Sequence, residues 1–162
     1  MTPAVQAPAR NPRELISSDL FDRLVGRLRD EYLYVARFYA ESTVEQMLCF
    51  LATTAEYDPS SPPEGIVQDE EEFNHLTPSK EIDDALHAFL DLTADYREFC
   101  KKLTGDRFID HVPVTNSSIT SGRSVAITVR AMRHCGWPVD DRFWETGTSC
   151  CSDICQGRLT KL

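Results

Sequence analysis

Asp83 and His87 form the pair whose residue types and spacing most directly suggest chemistry. They lie four positions apart in a segment with helical periodicity, so both side chains should project from one face of a helix. A carboxylate that accepts a hydrogen bond from one imidazole nitrogen leaves the other nitrogen as a lone-pair donor. This arrangement commonly surrounds a metal-bound or catalytic histidine. The alternative is a surface Asp–His pair without a function, and the spacing alone leaves both interpretations open.

A second histidine, His111, lies in a short apolar segment that ends at Pro113. Pro113 disfavours a helical conformation at the residue before it, so this segment should be extended. The predicted helix that carries His87 should end at Gly105. The chain must then fold back past that same helix. His111 is therefore a candidate metal ligand, and the alternative is a side chain that caps a helix end.

The C-terminal tail supplies three thiols at short spacing, which are typical soft-metal ligands: Cys150, Cys151 and Cys155. Adjacent cysteines rarely bind one ion together without backbone strain, so we expect one of the first two to act with Cys155. With His87 and His111 they would form a closed Cys₂His₂ site for a structural Zn²⁺. The alternative is a frayed tail whose thiols have no role.

A closed site would leave no open position for water and hence no hydrolytic chemistry. The rival hypothesis is an enzyme that uses an open metal site or a Cys nucleophile near His87. The sequence contains no GxSxG, GxGxxG, P-loop or HExxH motif. Catalytic residues therefore stay unassigned, and no organic cofactor is expected.

The remaining thiols have simpler explanations. Cys49 and Cys100 lie on apolar helical faces, where buried and inert thiols are usual. His134 and Cys135 lie at the end of a predicted helix, where a charged imidazole is stabilised by the helix dipole.

Helical spacing predicts the elements that must position these residues. We expect an all-α, single compact domain of four to five helices over residues 17–145, after a disordered lead-in at 1–16 and before a Cys-containing tail at 146–162. One helix should run from about Tyr32 to Glu56 and be followed by a loop to Leu76. A long central helix should run from Thr77 to Leu103, with Leu86, Phe89, Tyr96 and Leu103 in the core.

Charge and composition limit the classes of partner. The formal net charge is -9 and 27% of residues are charged, which argues against nucleic-acid backbones and anionic membrane surfaces as partners. No segment approaches the roughly 20 apolar residues of a membrane-spanning helix. The N-terminus lacks the apolar stretch of a secretory signal. We therefore expect a cytoplasmic location, reduced thiols and a protein partner of unknown identity.

The central segment resembles a known family. Its residues Ile82-Asp83-Asp84-Ala85-Leu86-His87-Ala88-Phe89, then Tyr96, Cys100, and Phe108-Ile109-Asp110-His111-Val112-Pro113, are similar to the glycine-rich domain-containing protein-like family in its small stand-alone bacterial form. The resemblance extends from about Leu20 to Cys155, but only the central thirty or so residues are specific. Leu86 stands where the family pattern has Trp.

The resemblance implies a fold and a set of residues and no particular reaction. It implies that Asp83, His87, Cys100 and His111 form one unit, with Asp83 and Cys100 in contact with the ligands. The sequence as a whole predicts a small intracellular accessory or interaction domain, stabilised by a His/Cys metal site that holds Zn²⁺.

Overall fold

The computed structural model describes residues 9–32, 36–58, 76–113, 122–145 and 155–161. Helices dominate these residues, which confirms the prediction of an all-α single domain. The α-helices are α1 (Ser18–Glu31), α2 (Arg37–Glu56), α3 (Lys80–Leu90), α4 (Thr93–Thr104) and α5 (Arg123–His134). Two short 3₁₀ helices cover Pro12–Leu15 and Asp141–Phe143, and two strands are β1 (Arg107–Pro113) and β2 (Cys155–Lys161).

Helix α2 forms the centre of the core. Every residue from 46 to 54 is buried, so this part of the helix is enclosed on all sides rather than on one stripe. It contacts α1, α3, α4, α5, both strands and the first 3₁₀ helix. The buried Gln46 is satisfied, because its amide donates to the Pro138 carbonyl at 3.1 Å and accepts from the Trp144 indole N–H at 2.8 Å.

The predicted helix boundaries are wrong in two places. Tyr32 ends α1, because its backbone N–H donates to the Leu28 carbonyl at 2.9 Å, and α2 begins only at Arg37. Thr77 does not cap α3. Its backbone N–H and carbonyl both bond to the Thr128 hydroxyl on α5, and Ser79 caps the helix two residues later.

The predicted long central helix is two helices separated by a bend at Asp91 and Leu92. The Leu92 N–H bonds to the Phe89 carbonyl three residues back, which tightens the last turn of α3. Phe89 and Tyr96, seven residues apart, would be separated by roughly 10 Å along a straight helix. The bend brings their ring centroids to 5.1 Å, edge to face. The predicted core positions Leu86, Phe89 and Tyr96 are buried, and Leu103 packs against the core while partly exposed.

The two segments outside the predicted helical domain both contain regular secondary structure. Residues 12–15 form a 3₁₀ helix, and the side chain of Asn11 caps it by accepting a hydrogen bond from the Arg13 N–H. Pro12 and Ile16 are buried. The prediction of a disordered lead-in is therefore wrong for residues 12–16, while residues 1–8 lie outside the described part of the chain. At the other end, β2 pairs antiparallel with β1, with Gly157 opposite His111.

No helix among the described residues is long and apolar enough to cross a membrane.

A Tyr96→Phe variant should lose about 1–3 kcal/mol of unfolding free energy, because it leaves a buried carbonyl without its partner. The buried Tyr96 hydroxyl donates to the Ile109 carbonyl at 2.7 Å and so joins α4 to β1. Urea denaturation measures the loss. Tyr57→Phe is the matched control, since the Tyr57 hydroxyl bonds to no described residue; equal losses in the two variants would contradict the prediction.

Candidate metal centre

Asp83, His87 and His111 come together between α3 and β1. The Ser79 cap begins α3 so that Asp83 and His87 lie one turn apart on one face. Gly105, at a φ of 80°, ends α4 and reverses the chain into β1. Ile109 faces the core, and residues two apart in a strand share a face, so His111 faces α3.

The three side chains present their donor atoms to one another. Nε2 of His111 lies 2.8 Å from Nε2 of His87, and the imidazole rings meet edge to face with centroids 4.4 Å apart. Asp83 Oδ2 lies 3.5 Å from His87 Nε2, and Asp83 Oδ1 lies 3.8 Å from His111 Nε2. One ligand atom from each residue lies within 4.8 Å of the others.

These separations are close to those between ligands of one small cation. Bonds of about 2.0–2.1 Å at angles of about 90–110° put two ligand atoms roughly 2.8–3.4 Å apart. The two nitrogens already meet this condition. The two carboxylate oxygens lie just beyond this range, at 3.5 Å from His87 Nε2 and 3.8 Å from His111 Nε2, so the Asp83 side chain must rotate to bring one oxygen near both nitrogens.

The electrostatics of the group also fit a cation. Burial raises the pKa of Asp83 to about 6, although the neighbouring His87 lowers this pKa in part. Burial, followed by the proximity of His87, lowers the pKa of His111 to about 4. Both shifts disfavour the charged form of the side chain. A bound cation would offset the cost of burying the ionised carboxylate, and it requires the neutral imidazole that the lowered pKa of His111 favours. Asp83 Oδ1 and His111 Nδ1 are buried atoms with no hydrogen-bond partner among the described residues.

One side of the group faces solvent. The His87 side chain is 59% exposed, whereas those of Asp83 and His111 are each 14% exposed. Two of the three donors are thus fixed by packing, and the third forms an accessible rim. A hydrogen-bonded His–His pair also fits the 2.8 Å separation, with one nitrogen protonated and the other accepting.

No family model, curated protein or solved structure matches this chain. The resemblance to the glycine-rich domain-containing protein-like family therefore stays a prediction.

The remaining predicted site residues are four cysteines, one on α4 and three in the C-terminal tail. Cys100 is buried and lies with the Tyr96 hydroxyl and the Ile109 backbone. It is not one of the residues whose donor atoms converge, and its predicted place beside the ligands stays a prediction. Cys150 and Cys151 lie outside the described residues. Cys155 begins β2 opposite Pro113. The backbone of the tail thus returns along the strand that carries His111, as the predicted Cys₂His₂ site requires, while the thiol positions stay a prediction.

The Cys-nucleophile alternative finds no support among the thiols that the structure describes. Burial raises the pKa of the Cys49 thiol to about 12 and also raises the pKa values of Cys100 and Cys135. Raised values keep the thiol protonated near neutral pH, and the thiolate is the nucleophilic form.

The sequence predicts only an orienting role for Asp83. The structure places its carboxylate within the same cluster as both imidazoles, as a possible third ligand. The Asp83–His87 spacing was the available signal. This spacing indicates that the two side chains share a face of the helix. It does not indicate whether the carboxylate orients the imidazole by a hydrogen bond or acts as a ligand next to it.

Proposed function

We propose that this protein is a small intracellular accessory domain that binds one divalent transition-metal ion through Asp83, His87 and His111. The observation that carries the proposal is the convergence of two imidazole nitrogens and a carboxylate from α3 and β1. Two nitrogens and one oxygen form a ligand set that suits Zn²⁺ among the common biological cations. Ca²⁺ and Mg²⁺ are disfavoured, because they prefer sets made of oxygen alone.

A bound ion would stabilise the fold whether or not it also takes part in a reaction. It would join α3 to β1, and β1 in turn pairs with β2. Binding to the folded chain alone stabilises it by mass action. One of the tail thiolates from Cys150, Cys151 or Cys155 is our candidate for the fourth ligand, which would close the site.

Exposure of His87 favours a second candidate function. With a water molecule as the fourth ligand, three protein ligands and an accessible rim would make an open site, which is the form used by hydrolytic zinc enzymes. The two candidates differ in the identity of the fourth ligand, which a spectrum can determine.

A zinc titration of the chelator-treated full chain tests the proposal. We expect one bound ion per chain by calorimetry and elemental analysis, and a rise in melting temperature that saturates with zinc. His87→Ala should lower zinc affinity at least about tenfold to a hundredfold, while His134→Ala, an exposed histidine outside the cluster, should leave it unchanged. Absence of stoichiometric binding, or equal effects of the two variants, would overturn the proposal.

Cobalt substitution then identifies the fourth ligand. Intense sulfur-to-cobalt charge-transfer absorption that disappears in a variant with all three tail cysteines replaced by serine would favour the closed site. A cobalt spectrum without that absorption, unchanged in the same variant, would favour the open one.

A further inference from the structure

A cavity of about 120 Å³ opens between α1, α2 and α3, and its described walls do not include the three residues of the metal cluster. We call it the tyrosine cavity. Leu28 and Ala40 line it, and because both are buried they form an apolar floor. Tyr32 and Tyr39 supply two half-buried aromatic walls.

The size of the cavity restricts what it can hold. A cavity of roughly 150 Å³ accommodates benzene, and one water molecule takes about 30 Å³. A volume of about 120 Å³ therefore suits a ligand of about five non-hydrogen atoms and is too small for a nucleotide or a sugar. The apolar floor favours an aliphatic chain rather than a cluster of water molecules.

Three polar groups of the cavity require a ligand that donates hydrogen bonds. Glu81 and Asp84 line the cavity with carboxylates, which only accept hydrogen bonds when they are ionised. Thr43 also lines it, and its hydroxyl already donates its proton to the Tyr39 carbonyl at 2.8 Å. The Thr43 oxygen can therefore only accept from a ligand. An anionic ligand would find no donor among these three groups.

The charges of the cavity favour a ligand with a single positive charge. Burial, followed by the negative charge of Asp84, raises the pKa of Tyr32 to about 12. Burial, followed by the negative charge of Glu81, also raises the pKa of Tyr39. Lys80 Nζ bonds to Asp84 Oδ2 at 3.2 Å and offsets one of the two carboxylates. One negative charge is left for a cation to balance, beside aromatic rings that attract ammonium groups.

We propose that the tyrosine cavity binds a small primary alkylammonium ion with a chain of about four carbon atoms. The chain would lie against Leu28, Ala40 and the tyrosine rings. The ammonium would donate hydrogen bonds to the Glu81 and Asp84 carboxylates, which lie toward solvent. This inference goes beyond the proposed function and does not depend on the metal.

A nuclear magnetic resonance titration of the full chain at constant ionic strength tests the proposal with three probes of equal size. They are n-butylammonium, 1-butanol, which has the same chain without the charge, and tetramethylammonium, which has the same charge without N–H donors. The first should bind saturably and shift the signals of Tyr32, Tyr39 and Asp84. The other two should each bind at least about tenfold more weakly.

Other outcomes overturn the proposal. Equal binding of 1-butanol would assign the cavity to neutral apolar molecules. Equal binding of tetramethylammonium would show that the acceptor groups do not select the ligand. A lack of saturable shifts with n-butylammonium would remove the site altogether.

A pair of double variants locates the binding. Glu81→Gln combined with Asp84→Asn should weaken n-butylammonium binding about tenfold. Glu98→Gln combined with Asp106→Asn makes the same charge change at two exposed positions outside the cavity and should leave this affinity unchanged. Equal n-butylammonium affinities in the two double variants would overturn the proposal. Zinc binding should be normal in both, so the metal proposal is tested separately.

Discussion

An Asp83→Asn variant should unfold at a higher temperature than the wild type in metal-free solution at pH 7, and should no longer respond to zinc. Burial raises the pKa of the Asp83 carboxyl from 3.8 to about 6. Its folded state therefore holds a proton more tightly than its unfolded state, and the stability gained in this way is lost as the pH rises through about 6. At pH 7 the ionised carboxylate should cost the metal-free fold about 1–3 kcal/mol, which the neutral amide avoids.

The pH dependence provides an internal check on this prediction. The stability difference between Asp83→Asn and the wild type should shrink as the pH falls from 7 to about 4, because the wild-type carboxyl then becomes neutral too. Thermal unfolding at several pH values in the presence of a chelator measures the difference. If Asp83 instead stabilised the metal-free fold by pairing with the imidazoles, the variant would be less stable than the wild type at pH 7, and the prediction would be wrong.

Asp84→Asn is the matched control for this experiment. It makes the same chemical change at the next residue, whose carboxylate bonds to the partly exposed Lys80. Surface ion pairs of this kind contribute about 0–1 kcal/mol. The control should therefore be neutral or slightly destabilised and should bind zinc normally.

Phe89→Ala should cost about 3–5 kcal/mol of unfolding free energy, the range for emptying a buried aromatic position. The Phe89 side chain has no exposed surface. Its ring lies 5.1 Å from that of Tyr96 and 5.2 Å from that of Phe99, so the variant loses contacts on both sides of the bend between α3 and α4. Chemical denaturation measures the loss, and a variant that is unfolded in buffer at 25 °C also agrees with it.

Phe38→Ala makes the same change at an exposed position. Its side chain is 64% exposed, so its stability should change by no more than about 0.5 kcal/mol. A loss below about 1 kcal/mol for Phe89→Ala, or a similar loss for both variants, would show that the ring at position 89 does not carry the packing described above.

Local signals in the sequence were sufficient for the helices but not for the bend between α3 and α4. Apolar residues at three- and four-residue spacing predict α1 and the central helical region. The bend was missed because the apolar spacing from Ile82 to Cys100 continues across Asp91 and Leu92 without interruption. It depends on packing between Phe89, Tyr96 and Phe99, which a periodic pattern does not encode.

The candidate site could likewise be predicted only in part, because local spacing places some of its residues and tertiary packing places the others. The Asp83–His87 pair follows from helical spacing, and His111 follows from the chain reversal at Gly105. The approach of the carboxylate to the His111 imidazole depends on where β1 lies relative to α3, which is a tertiary property. The burial of Cys100 follows from its position on an apolar helical face, whereas its contact with the Tyr96 hydroxyl depends on tertiary packing.

The enclosure of α2 has a consequence for how the chain is made. During synthesis α1 emerges before α2 and carries one apolar face. α2 follows with a segment that the complete fold encloses on all sides. α1 and α2 pack against each other, but the rest of the surface of α2 is covered only when α3 and α5 arrive, because both also pack on α2. An early fragment of this chain would therefore expose apolar surface that the complete fold buries. We therefore expect the nascent chain to be most prone to aggregation before α3 and α5 have left the ribosome.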